Sequence, residues 1–94
     1  MIRLACMIGL LAAPAAAMQC GDREKIVAHL AETYGEGRVS VGLAENGAMV
    51  ETFASPETGS WTLLMTSPQG LTCLLASGES FESVSEVVPS GFAL

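Results

Sequence analysis

Five side chains in this sequence have the chemistry to act: Cys20, His29, Glu51, Trp61 and Cys73. A cysteine nucleophile needs a nearby base to form thiolate. The single histidine, His29, falls on the outer flank of a helical stretch, away from the stripe that would face a core. A structural zinc site needs four ligands at a recognisable spacing. Cys20, His29 and Cys73 are scattered, and no C-x-x-C or H-E-x-x-H run occurs. That leaves a disulfide between Cys20 and Cys73, and no residue is assigned to catalysis, to a metal or to a cofactor. Glu51 could do acid–base work only with a partner, and no second acid is placed beside it by sequence. Glu51 and Trp61 are therefore read as candidate partner-binding residues, tryptophan being favoured at binding hot spots. Core packing is the default role for Trp61, and a structural role is the alternative for Glu51.

The disulfide reading depends on compartment. "MIRLACMIGLLAAPAAAMQC" carries Arg3 ahead of the apolar run Leu4 to Ala13, then Ala15 and Ala17 in an A-x-A arrangement. This is the pattern of a secretory signal peptide cleaved after Ala17. The run is shorter than the roughly 20 apolar residues that span a bilayer, so the mature protein is expected to have no membrane span. Lipidation of Cys20 is the alternative, but the preceding residue is Gln19 rather than a small one. Residues 1–17 are thus assigned to the signal, and residues 18–94 to one small domain with an ill-defined tail from 79 to 94. The expected location is periplasmic or secreted, where disulfides persist. Cys6 leaves with the signal, and the remaining two cysteines make an even pair.

The mature chain keeps ten acidic residues against Arg23, Lys25 and Arg38, a formal charge of −7. Nucleic-acid binding needs a basic patch and anionic lipid attracts basic segments; neither is expected. A basic periplasmic protein is the partner the charge suits, because opposite potentials speed and orient encounter.

The elements that position these residues can be read in order. "GDREKIVAHLAETYGEG" predicts a helix over 22–34 with Asp22 as N-cap and Gly35 as stop. Ile26, Val27, Leu30 and Tyr34 form its apolar stripe. "RVSVGLA" and "AMVETFA" flank Asn46-Gly47, which predicts a two-residue type I′ hairpin. That register opposes Leu43 to Val50 and Val41 to Thr52, and leaves Glu51 opposite Gly42. "SWTLLMT" and "LTCLLAS" flank "SPQG", which predicts a three-residue loop with Gly70 left-handed and Met65 opposite Cys73. Trp61, Leu63, Met65, Cys73 and Leu75 then share the more apolar face. The expected fold is α+β: one N-terminal helix packed on a four-stranded antiparallel meander, with the helix over that apolar face. Phe81, Val84 and Val88 in the tail could make a short helical stripe or lie loosely.

The segment "GSWTLLMTSPQGLTCLLASGE" resembles one in small exported alphaproteobacterial proteins of unknown function. They carry a W-T…T-x-P-x-G-x-[ST]-C…A-x-G run, matched here by Trp61, Thr62, Thr66, Pro68, Gly70, Thr72, Cys73, Ala76 and Gly78. The resemblance is specific only in this hairpin; it implies export and no activity. The functional expectation is a non-catalytic binding or accessory module stapled by one disulfide. The alternatives are a small hydrolase using carboxylates and a purely structural envelope protein.

Overall fold

A computed structural model describes residues 18–85. The expected signal peptide (1–17) and the last nine residues (86–94, including Val88) lie outside them. The chain forms β1 (Cys20–Asp22), α1 (Arg23–Tyr34), β2 (Gly37–Leu43), β3 (Met49–Ala54), β4 (Trp61–Thr66) and β5 (Leu71–Gly78). The strands make one antiparallel sheet in the order β1-β5-β4-β3-β2. The α+β class stands, but the sheet has five strands, not four, and the helix is not the first element. Three residues are too few for alternation to show in sequence. β1 exists because Cys20, Gly21 and Asp22 pair with Cys73, Thr72 and Leu71 of β5.

α1 forms where its caps place it. The Asp22 carboxylate accepts from the Lys25 backbone N–H at 3.1 Å, satisfying one of the unpaired donors of the first turn. Gly35 ends the helix at φ 67°, in the left-handed region that favours glycine. α1 runs from one edge strand to the other across one face of the sheet. Leu30, Phe53 and Leu64 are the buried centre of the contact, with Ile26, Val27 and Leu74 packed against them. Tyr34, expected on the apolar stripe, is half exposed.

The covered face is the opposite of the expected one. Thr62, Leu64, Thr72, Glu51 and Phe53 are buried beneath α1, and the Thr66 and Thr72 hydroxyls bond each other at 2.7 Å. Trp61, Leu63, Met65 and Cys73 alternate to the other side and are half-buried. No helix among the described residues covers that side.

The first hairpin corrects a register. Gly47 N–H donates to Ala44 O at 2.9 Å and Ala44 N–H to Ala48 O at 2.8 Å, a three-residue loop with Gly47 at φ 87°. The loop is one residue longer than a type I′ turn, so the pairs next to it slip by one. Leu43 faces Met49, Gly42 faces Val50, Val41 faces Glu51 and Ser40 faces Thr52; an irregularity at Val39 slips the strand one residue more, setting Arg38 opposite Phe53. A one-residue slip exchanges the two faces of a strand. Val41 and Leu43 therefore lie on the helix side but beyond its reach, and Leu43 is 77% exposed. The second hairpin has the expected loop and pairs Met65 with Cys73. Beyond Leu64 a register shift pairs Leu63 with Ala76, Thr62 with Ser77 and Trp61 with Gly78. Residues 79–85 form no regular element; their Phe81 N–H donates to Gly59 O at 2.9 Å.

Candidate functional site

Cys20 and Cys73 form the disulfide, sitting directly opposite each other on β1 and β5. It lies on the face turned away from α1, not beneath the helix as the expected packing implied. The thiols are consumed, and the bridge belongs to the scaffold.

Glu51 is completely buried and fully committed. Arg23 at the start of α1 grips both carboxylate oxygens, its Nε donating to Oε1 at 3.0 Å and its Nη2 to Oε2. Arg38 on β2 donates from Nη1 to Oε2 at 3.0 Å. Hydrogen bonding from Arg23, against the opposing effect of burial and with help from Arg38, holds the Glu51 carboxyl below its usual pKa. The same contact raises Arg23. A carboxylate so occupied is a poor base and offers nothing to an outside partner. Glu51 is a latch joining α1, β2 and β3, the structural role of its two expected ones; buried completely, it is not placed as a partner contact.

Trp61 is half-buried. Its indole N–H donates to Glu79 O at 3.2 Å, and its ring lies so close to Gly78 that a Cβ there would come within 3.0 Å. That close approach favours glycine at 78, since any side chain there would have to push the indole aside. Trp61 thus orders the segment that carries Glu79, and it also lines the cleft beside that segment.

The concave feature lies beside that segment. A cleft of about 320 Å³ opens between the second half of α1 and the β4–β5 end of the sheet, with Leu30 and Leu74 on its apolar side. His29, Tyr34, Glu36 and Glu79 bring polar groups to it. A second furrow of about 340 Å³ shares His29, Leu30 and Leu74 and continues along α1 past Ile26 and Lys25. The two make one groove along the helix. Pockets of this size, apolar with a few polar groups, are the usual form of small-ligand sites.

Glu36 is not among the side chains singled out from the sequence. Because Gly35 turns left-handed, its N–H reaches Ala31 O and the next N–H, of Glu36, reaches Leu30 O, both at 3.1 Å. This folds Glu36 back under the helix end, where it is 3% exposed and its Oε1 has no hydrogen-bond partner. Its position directly after the helix-stopping glycine was the only signal available. His29 stays at the surface, where Nδ1 meets the Thr33 hydroxyl at 3.3 Å and the ring stands edge-on to Tyr34 at 5.8 Å. No group of three or more metal-ligating side chains occurs among the described residues.

Comparison with protein-family models, curated proteins and solved structures finds no match for the chain.

Proposed function

We propose that this chain is an exported, non-catalytic binding module, stapled by its disulfide, whose site is the groove along α1. The single observation that carries the reading is the cleft itself, an apolar floor with a buried acceptor that nothing among the described residues satisfies. Buried polar groups are almost always paired, so an orphan in a cleft wall points to a ligand group that completes it. The acidic surface suits a basic partner, which charge would steer toward the protein. No helix among the described residues is long and apolar enough to cross a membrane, and a disulfide-closed domain is in keeping with an oxidising compartment.

Two results are expected. The intact mass of the exported protein should correspond to a chain starting at Met18 with two oxidised cysteines; a diacylglycerol adduct at Cys20 would move it to a membrane surface and refute the assignment. Incubated with esters, peptides, peptidoglycan and phosphate esters, the purified protein should show no turnover, while crosslinking in the native compartment should capture a partner through the groove. Multiple-turnover activity lost in Glu36→Gln or His29→Ala would instead make the groove an active site.

A further inference from the structure

The fold holds a contrast between two buried glutamates, of which only Glu36 lines the groove. Glu51 has three guanidinium donors, whereas Glu36 has an unpaired oxygen in the cleft wall. A carboxylate taken from water without a partner is costly, and Gln would fill the same space without the charge. The one lysine along the groove, Lys25, stands at the far end, in the first turn of α1. α1 has no basic residue in its last turn, so the partial negative charge of its C-terminal end is uncompensated. Glu79 faces the same cleft, and both arginines of the mature chain are held at Glu51. Every fixed charge and dipole near Glu36 therefore favours a cation.

The kind of cation follows from the rest of the wall. Glu36 and Glu79 belong to no cluster of three metal-ligating side chains among the described residues, which makes a poor site for a divalent ion, since that requires several oxygen ligands. The apolar floor of Leu30 and Leu74 continues along α1 to Ile26, which suits a hydrocarbon stem, and Tyr34 in the same lining brings an aromatic ring, the kind of group a cationic head is drawn to. We propose that the groove binds a primary alkylammonium group, its head on the Glu36 carboxylate and its stem along Leu30 and Leu74. This is the chemistry of a lysine side chain or of a free aliphatic amine. The inference rests on the binding reading above and names the ligand class of that same site.

The test titrates the oxidised exported protein with four probes: 1,5-diaminopentane, a short lysine-containing peptide, 1-pentanol and pentanoate. Backbone amide shifts of Tyr34, Glu36 and Leu74 are followed, with Trp61 fluorescence in parallel. The amines should bind saturably, and pentanol and pentanoate at least tenfold more weakly. Glu36→Gln should weaken amine binding at least tenfold while raising the thermal midpoint of the free protein, a gain that a merely structural carboxylate would not give. Tighter binding of the peptide than of the diamine assigns the group to a protein partner, and the reverse order to a free amine; either supports the proposal. Pentanol binding as tightly as the amines overturns the cation assignment but leaves the groove a binding site. Amine binding unchanged in Glu36→Gln, or no amide shift with either amine, overturns the proposal outright. The capture experiment above then decides the binding reading independently.

Discussion

Cys73→Ser is expected to lower the stability of the oxidised protein by about 4 kcal/mol, the loop-closure value for a bridge between residues 53 apart. That is close to a thousandfold in the unfolding equilibrium and comparable with the whole stability of many small domains. The location of the bridge adds to its consequence. β1 is three residues long, too short to hold an edge by its own ladder, and α1 begins at the next residue. Apart from its ladder and the Leu74 N–H bond to Gln19 O at 2.9 Å, the disulfide is what ties the start of the helix to β5. Denaturant unfolding of wild type, Cys73→Ser and the Cys20→Ser/Cys73→Ser double variant checks this. The single and double variants should be equally destabilised, and native protein should have no titratable thiol before reduction. A loss under about 1 kcal/mol would show that β1 and the helix dock without the staple.

Glu51→Gln should cost about 3 kcal/mol, the lower end for removing one partner from a buried charge pair. The lower end applies because Arg23 and Arg38 are each partly exposed and regain water when released. The pH dependence follows from the depressed carboxyl pKa of Glu51. In that window the unfolded state binds the extra proton, so the contribution is present above the unfolded carboxyl value of about 4.3 and is lost as pH falls through the lower folded value. Acid unfolding of the wild type should accordingly steepen below about pH 4, and the gap to Glu51→Gln should narrow there. Arg23 runs the other way: its raised pKa secures a contribution lost only in strong alkali, so it adds nothing to the acid limb. A gap that is constant from neutral pH to acid would mean that Glu51 is not held ionised by the arginines.

The two buried glutamates show why the site was harder to read than the fold. Both look in sequence like acids near strands or turns, and nothing local separates them. Glu51 became a latch because Arg23 and Arg38, far apart along the chain, converge on it from α1 and β2. Glu36 became an orphan because a left-handed Gly35 swung it inward, where no cation followed. Partner identity at such positions is a property of elements that meet, and a single sequence contains no record of the meeting.

Local signals were decisive wherever a few adjacent residues carry the physics. Asp22 and Gly35 bound the helix through their own hydrogen bonding and backbone freedom. Pro68 and Gly70 specify the second hairpin loop, and with it the Met65–Cys73 pairing. The Cys20–Cys73 pairing was legible once Cys6 was assigned to the expected signal peptide. Tertiary structure alone decided the rest. Asn46-Gly47 is compatible with a two-residue or a three-residue loop, and the slip between them exchanges the faces of β2 relative to β3. Both faces of β4 and β5 are partly apolar, so alternation could not say which one α1 covers. The helix has only a short stripe, and it settles where Phe53, Leu64 and Leu74 make a centre and where the threonine hydroxyls can satisfy each other, leaving Trp61, Leu63 and Met65 on the other side. β1 depends on a strand fifty residues away. Alternation and capping act over a few residues, while register, face and edge pairing are settled by which surfaces bury best together.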